Sequence, residues 1–139
     1  MDLHNLIGFL IHRTDVKMTN YFTKRLKPYD VTPEQWSIIS ILCDQSGTTQ
    51  KELAEAIDKD QTTVVRMIQS MVRKGLVKKT INVQDKRSYY LYLTEKGTQI
   101  KKTVLPVVTE AHQSVTSNLS KEEVQQLQSL LNKLYATDY

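Results

Sequence analysis

The chain has 139 residues, of which 40% are hydrophobic and 24% are charged, a composition typical of one globular domain with a buried core. Its single cysteine excludes an internal disulfide, and no apolar run approaches the roughly 20 residues that span a bilayer. The first residues also lack the basic and apolar regions of a signal peptide. We therefore expect a cytoplasmic protein with no membrane partner.

The net charge of +4 arises in the middle of the chain. Residues 48–97 hold ten Lys and Arg against six Asp and Glu, whereas the other residues hold nine of each. Between residues 61 and 90, seven basic residues accompany one acid, Asp85. Such a segment fits a protein that binds a polyanion such as nucleic acid, although a merely basic, solvated surface fits the charge equally well.

The first part of the chain predicts two helices. Apolar residues recur at spacings of three and four from Leu3 to about residue 27, and Pro28 ends that pattern. The second helix begins at Thr32, which can form a capping box with Gln35, and it ends at Gly47.

The next segment predicts a helix–turn–helix. Thr49 and Glu52 form a second capping box that starts a short helix, and Asp60 can cap the helix after it. An apolar back and a basic front on that fourth helix are what a reader of the DNA major groove needs, although any small amphipathic helix pair shares the pattern. The apolar back is Val64, Met67, Ile68 and Met71, and the opposite face is Thr62, Arg66, Gln69 and Arg73.

Two predicted strands, residues 77–81 and 88–93, flank a polar segment that contains no glycine. We expect something other than turn chemistry to hold the tip of this hairpin. Asp85 is placed to pair with Arg87 and to stiffen the tip. A hairpin of this kind, directly after a helix–turn–helix, indicates the wing of a winged helix.

The C-terminal part of the chain predicts two more helices. The fifth begins near Thr94, and Gly97 in its first turn indicates close backbone packing, because glycine is otherwise unfavourable in a helix. Pro106 predicts a kink in the middle of this helix. A capping box at Ser120 starts the sixth helix, whose apolar stripe runs over residues 124–134.

Together these elements predict a mostly α fold: an α+β winged helix–turn–helix of about six helices with a two- to three-stranded wing. Residues 31–97 form the DNA-binding region, and residues 1–30 and 98–139 form a dimerisation region within the same structural unit. The apolar stripes at residues 3–11 and 124–134 lie outside the winged helix, which is too small to bury both. Exposed stripes of this kind mark an interface.

The motifs resemble those of the MarR family of winged-helix transcription regulators, over nearly the whole chain. Asp85-Lys86-Arg87 followed by Leu93-Thr94-Glu95-Lys96-Gly97 is similar to the family's wing signature, D-x-R followed by L-T-x-K-G. Residues 49–54 and 63–66, followed by residues 74–77, resemble its helix–turn–helix. The resemblance implies a homodimer with interlocked terminal helices, whose two winged helices bind adjacent half-sites of a pseudo-palindrome in double-stranded DNA.

Nine residues are the candidate DNA contacts. The N-terminus of the fourth helix is where base edges are usually met, and Arg66, one turn further on, suits guanine or phosphate. Arg87 on the wing suits an A/T-rich minor groove and Lys86 suits a phosphate, while the N–H groups that start the third helix can bind phosphate. The complete set is Thr49, Gln50, Gln61, Thr62, Thr63, Arg66, Asp85, Lys86 and Arg87.

The resemblance also implies control by a small effector, since many family members release DNA when an aromatic acid or a phenol binds between the dimer helices and the winged helix. His12, Arg13 and Trp36 are the candidates for bordering that cleft, against plainer roles in surface contact or core packing. The family's peroxide-sensing branch carries a cysteine early in the first helix, which this chain lacks. Cys43 lies among apolar residues, so we expect desolvation to keep it inert.

Enzymatic function has no support in the sequence, which contains no glycine-rich phosphate loop and no nucleophile elbow. The three histidines, His4, His12 and His112, are too scattered for a metal site, and we expect no cofactor. The sequence therefore predicts a DNA-binding transcription regulator. Repression is the commoner mode in the family, and a protein-interaction module without specific DNA binding is the alternative.

Overall fold

The structure, a computed structural model, describes residues 1–45 and 47–139. These residues form six α-helices and a three-stranded antiparallel sheet in the order β1-β3-β2, so the predicted mostly α, winged-helix fold is confirmed. The helices are α1 (Ile7–Leu26), α2 (Pro33–Asp44), α3 (Gln50–Ala56), α4 (Gln61–Arg73), α5 (Glu95–Val115) and α6 (Lys121–Tyr135), and the strands are β1 (Thr48–Thr49), β2 (Val77–Ile81) and β3 (Tyr89–Leu93).

Side-chain caps start the helices from α2 onward. Thr32, Thr49 and Ser120 each accept a hydrogen bond from the backbone N–H three residues later and complete a capping box, as predicted. Asp60 caps α4 and Thr94 caps α5 in the same position. The residues at which α2 to α6 begin are therefore fixed by local hydrogen bonds to side chains.

The limits of the first two helices differ from the prediction. Leu6 has an extended backbone (ψ 122°), so the residues from Leu3 form a separate 3₁₀ turn and α1 begins only afterwards. The second helix ends at Asp44 rather than at Gly47, because Gln45 is already extended (ψ 94°). Apolar spacing predicted the buried faces, but it did not mark the residues at which the backbone leaves the helical conformation.

The winged helix has a core of its own, formed where α2, α3 and α4 pack against the sheet. The predicted apolar back of α4 lies in it: Val64, Ile68 and Met71 are fully buried, and Met67 packs against the cluster. The buried members of the cluster are Val31, Ile38, Ile39, Leu42, Leu53, Ala54, Val64, Ile68, Met71, Leu76, Val77 and Leu91.

The base of the wing is clamped to the start of α5. The backbone N–H of Thr94 donates to the carbonyl of Leu76 (3.0 Å), and its hydroxyl donates to the carbonyl of Gly75. Gly97 then packs directly on Leu76, because a Cβ at Gly97 would overlap the Leu76 carbonyl oxygen. The close packing predicted at Gly97 is confirmed.

The terminal helices are only partly covered. α1 packs along α5 and buries Leu26, Val104 and Ala111, but no residue of α6 is buried within the described structure. α5 continues through Pro106, and the kink there stays a prediction. Eight apolar side chains each expose 42–57% of their surface: Leu3, Leu6, Ile7, Ile11, Leu127, Leu130, Leu131 and Leu134.

None of the helices in the described ranges combines the length and the apolarity that crossing a bilayer requires.

Candidate nucleic-acid interface

The start of α4 is fixed by Asp60. Its carboxylate accepts hydrogen bonds from the N–H of Thr63 (2.8 Å) and from the Thr63 hydroxyl (3.1 Å). These two bonds hold the pKa of the Asp60 carboxyl below its usual range. The Thr63 hydroxyl thus donates its hydrogen to the cap, so in this arrangement it can contact a base only as an acceptor.

The front of α4 is exposed. Gln61, Thr62 and Arg66 are all exposed, and within the described residues their side chains make no hydrogen bond. Glutamine and threonine offer both donors and acceptors, and arginine offers five donors in a fixed fork. This face of α4 is therefore available for polar contacts with a ligand in a groove.

The start of α3 is less available than predicted for phosphate binding. The N–H of Thr49 already donates to Glu52 Oε1 (3.2 Å), while the Thr49 hydroxyl accepts from the N–H of Glu52 (3.1 Å). The N–H groups of Gln50 and Lys51, in the first turn, have no partner inside the helix. A phosphate here would meet these two groups, with the carboxylate of Glu52 close by as an opposing charge.

Asparagine and aspartate side chains hold the wing tip. Asn82 Oδ1 accepts from the N–H of Gln84 (3.0 Å), and Asp85 Oδ1 accepts from the N–H of Arg87 (3.1 Å). Each is a hydrogen bond to the backbone two residues on, which is the ordinary turn chemistry of these residue types. Our expectation that something other than turn chemistry holds the tip was therefore wrong.

The predicted Asp85–Arg87 pair is confirmed, with Arg87 Nε 3.3 Å from Asp85 Oδ1. Hydrogen bonds from the backbone and the side chain of Arg87 hold the pKa of Asp85 below its usual range. The Arg87 side chain is nonetheless 94% exposed, and its terminal amino groups have no other partner among the described residues. Lys86 is exposed beside it. The tip thus exposes the charged side chain of Arg87 on a backbone that Asp85 holds in place.

Some of the positive charge counted from the sequence serves the fold. Lys74 Nζ donates to the carbonyl of Asp30 (2.8 Å) and to Gln35 Oε1 (3.2 Å), and it lies 3.4 Å from the Asp30 carboxylate. Lys79 lies over the ring of Tyr89, 5.1 Å from its centroid. The first of these contacts joins residues 44 positions apart, and no local pattern indicates it.

Arg13, one of the candidate effector residues, borders a cavity of about 630 Å³ between α1 and the end of α5. Lys17 and Tyr21 line the same cavity. The neighbouring Ser114 side chain and a hydrogen bond donated by Arg25 Nη1 (2.8 Å) hold the pKa of the Tyr21 hydroxyl below its usual range. The cavity thus combines cationic and phenolic groups, and His12 is not among its lining residues.

Trp36, the third candidate, lies in a different place, where α2 packs on α5. It is half-buried, with Lys101 Nζ 4.7 Å from its ring centroid. The same Lys101 ammonium donates to the Ser40 hydroxyl (3.2 Å). A single chain therefore does not bring Trp36 together with Arg13.

Cys43 is exposed, whereas its apolar neighbours predicted burial. It follows the buried Leu42 on α2, and the step of one residue along the helix turns its side chain about 100° away from the buried face. The inertness that we expected from desolvation therefore has no basis in the structure.

Known proteins similar to this chain share one family. The sequence profile of the MarR family matches residues 31–89. The multiple antibiotic resistance protein MarR of Escherichia coli strain K12 is 32% identical over 137 residues, which cover 96% of this chain and 95% of that protein. The chain belongs to the MarR family. Members of this family are transcriptional regulators and not enzymes, which confirms the expected absence of enzymatic function.

Solved structures of MarR-family proteins share the fold. A mutant of Escherichia coli MarR in complex with operator DNA has a TM-score of 0.86 and 31% identity, over 92% of each chain. The transcriptional repressor CouR bound to a 23-mer DNA duplex has a TM-score of 0.89 and 26% identity, over 96% of this chain and 94% of CouR. Both of these relatives were solved with DNA bound.

Proposed function

We propose that this MarR-family protein is a sequence-specific DNA-binding transcription regulator that represses its target genes. One observation carries the proposal. The winged helix exposes two polar elements, the front of α4 and the tip of the wing, and side-chain hydrogen bonds fix the backbone of each. The DNA complexes of MarR and CouR, which share the fold, support it. A protein that binds chromosomal DNA acts where that DNA lies, and we propose a cytoplasmic location.

The two elements have different roles in this proposal. Gln61 and Thr62 meet base edges in the major groove, and Arg66 donates to guanine or to a phosphate. Arg87 enters the minor groove, where a narrow A/T-rich stretch strengthens the negative potential, and Lys86 meets a phosphate. Asp85 acts indirectly, because it holds the backbone and the Nε atom of Arg87 in place.

We propose that the active form is a homodimer. The exposed apolar stripes on α1 and α6 support this, since a contiguous apolar patch on a protein surface marks an interaction site. Residues 1–30 and 98–139 form the dimerisation region, and residues 31–97 form the DNA-binding region. Two-fold symmetry then places the two α4 helices about 34–36 Å apart, on adjacent half-sites of a pseudo-palindrome.

We further propose that a small aromatic acid or phenol controls DNA binding. Arg13 is a cation beside a cavity, and Trp36 is an aromatic ring under the Lys101 ammonium; both groups suit such a ligand. The two lie apart in one chain, so one ligand would contact both only in the assembled dimer. His12 lies on α1 next to Arg13 and joins the site only if the partner's helices complete it. The effector would act by changing the angle between the two winged helices.

Binding to a selected duplex tests the proposed function. Duplexes long enough for two half-sites are selected from a random library, and the affinity is measured between about 50 and 200 mM salt beside a scrambled duplex. We expect selective binding that weakens steeply with salt, because each phosphate contact releases counterions. No binding by a folded dimer at low salt would overturn the proposal, and binding without preference would remove its sequence-specific part.

A protein-interaction module is the second candidate function, and one observation favours it. Ile81 and Val83 on the wing are 63% and 87% exposed, so the wing also presents apolar side chains. A contact through these groups would change little with salt, whereas phosphate contacts weaken steeply. The salt series therefore separates the two functions.

A further inference from the structure

The turn between α3 and α4 contains a residue in an unusual conformation. α3 ends with two backbone hydrogen bonds, from the N–H of Lys59 to the carbonyl of Ala54 (3.0 Å) and from the N–H of Asp58 to the carbonyl of Glu55 (3.3 Å). This pattern requires a left-handed residue directly after the C-cap residue of the helix, which is Ile57, and Asp58 at that position has φ +54°. Glycine is the usual residue at that position, since it adopts positive φ without strain.

The end of α4 provides an internal comparison. There the N–H of Leu76 donates to the carbonyl of Met71 and the N–H of Gly75 donates to the carbonyl of Val72, both at 2.9 Å. The left-handed residue at this helix end is Gly75, with φ +77°. The chain therefore uses glycine after α4 but an aspartate, with a side chain and a charge, after α3.

The carboxylate of Asp58 has a distant partner. The hydroxyl of Tyr135, at the end of α6, donates to Asp58 Oδ2 (2.8 Å) across 77 positions of sequence. The bond is also reflected in the pKa of Tyr135, which the hydrogen bond to Asp58 raises above its usual value. Within the described residues, no other side-chain hydrogen bond joins α6 to the winged helix.

We infer that Tyr135 is a positioning residue for DNA recognition, because through Asp58 it fixes the turn from which α4 begins. Asp60, the cap of α4, follows Asp58 by two residues, so the direction of the first turn of α4 depends on this segment. Gln61 and Thr62 lie in that first turn. The inference rests on the proposed function, and it links the proposed dimerisation helix α6 to the proposed reading helix α4.

Five variants test the inference in the full-length protein with the selected duplex. Asp58→Gly keeps a residue suited to the left-handed turn but removes the carboxylate, and Tyr135→Phe removes the hydroxyl. We expect each to weaken binding about two- to tenfold, the range that the loss of one hydrogen bond gives. The double variant should bind no more weakly than whichever single variant binds more weakly, because each single substitution already removes the same Asp58–Tyr135 contact. Tyr139→Phe, fully exposed at the C-terminus, is the control and should bind like the wild type.

Charge alone predicts that Asp58→Gly binds DNA more tightly than the wild type, since the substitution removes a negative charge near the DNA. Asp58→Asn separates the two effects, because asparagine tolerates the left-handed turn and can still accept the tyrosine hydrogen bond. We expect Asp58→Asn to bind at least as tightly as the wild type. Thermal unfolding should show Asp58→Gly to be no less stable than the wild type, so a weaker complex would reflect positioning and not partial unfolding.

Wild-type affinity in both Asp58→Gly and Tyr135→Phe, or additive losses in the double variant, would overturn this inference while leaving the proposed function intact. A wild-type protein that selects no duplex would overturn the proposed function, and this inference with it.

Discussion

The winged helix and the terminal region differ in how far they bury their apolar residues. In the winged helix the side chains of Ile38, Leu53 and Ile68 have no exposed surface at all. In the terminal region, by contrast, α6 buries none of its residues and Leu130 is 57% exposed. The first region contains a complete core within one chain, whereas the second has a face that one chain cannot cover. In the proposed dimer, folding and assembly would thus be divided between the two regions.

The same contrast applies to charge. Lys74 and Arg87 both belong to the basic segment of the winged helix, but Lys74 binds Asp30 and Gln35 inside the fold. Arg87 is 94% exposed at the wing tip. A count of basic residues does not distinguish a cation that joins two elements from one that is available to a partner, so the contacts decide which residues are candidates for DNA binding.

The largest effect should come from truncating the core of the winged helix. Ile68→Ala removes fully buried methyl groups and leaves a cavity, and it should lower the free energy of unfolding by about 2–5 kcal/mol. Urea denaturation measures the loss, and it is done at a fixed protein concentration because the stability of the proposed dimer would depend on concentration. A loss below about 0.5 kcal/mol, as for a typical surface position, would contradict the assignment of Ile68 to a tight core.

A substitution in the apolar stripe on α6 should change the dimerisation affinity rather than the stability of the winged helix. Leu130→Asp places a charge on the exposed apolar face, where a partner would have to bury it. It should weaken the proposed dimer by about a hundredfold, or roughly 3 kcal/mol. Sedimentation over a dilution series measures the change. The winged helix of the variant should still unfold cooperatively. An unchanged dimer would show that the α6 stripe is not the interface.

Two glycines, one in each region, give a matched pair. Gly97→Ala would drive a Cβ into the Leu76 carbonyl and should destabilise the protein by about 1–3 kcal/mol. Gly8 on α1 has no atom within 4 Å of its would-be Cβ apart from its neighbours and the backbone of its own helix. Gly8→Ala should therefore stabilise the helix by roughly 0.5–1 kcal/mol. Thermal unfolding measures both. If Gly8→Ala instead weakens the dimer, a partner packs closely at that position.

For the charged residues the comparison concerns DNA affinity. Arg87→Ala should weaken binding to the selected duplex by ~1–3 kcal/mol and leave the dimer intact. Lys102→Ala, which removes the same charge from an exposed position on α5, is the control and should have little effect. Unchanged affinity in Arg87→Ala would remove the wing from the proposed interface, and a lost dimer would give the residue a structural role.

The parts of the fold that the sequence predicted well depend on local interactions. Thr32, Thr49 and Ser120 were recognisable as caps because each bonds to a group three residues away. The limits of both wing strands, as predicted, lie within one residue of those observed, because polar residues at the tip interrupt the β-rich runs. The errors at Leu3 and Gly47 arose because apolar spacing does not show where the backbone turns.

The rest of the site depends on contacts between distant residues. Lys74 binds Asp30, and Tyr135 binds Asp58, across 44 and 77 positions respectively. No sequence pattern indicates either pair, because tertiary packing brings the two partners together from distant positions. Candidate DNA contacts such as Gln61 and Arg66 could be named from their helix face alone, and their roles stay predictions.

The smallest expected effect concerns pH, and it again separates the two regions, because α4 begins at an ionisable cap and α6 begins at a serine. The pKa of Asp60 is lowered in the folded protein, so its contribution to stability is present above its ordinary value of 3.8 and is lost as the pH falls through the lower folded value. Asp60→Asn caps the helix without titrating. Between pH 5 and about pH 2, the thermal midpoint of the wild type should therefore fall more steeply than that of the variant. Parallel curves would mean that the cap contributes nothing to the acid sensitivity, whereas an acid-induced loss of order that starts at α6 would place the weakest point in the terminal region.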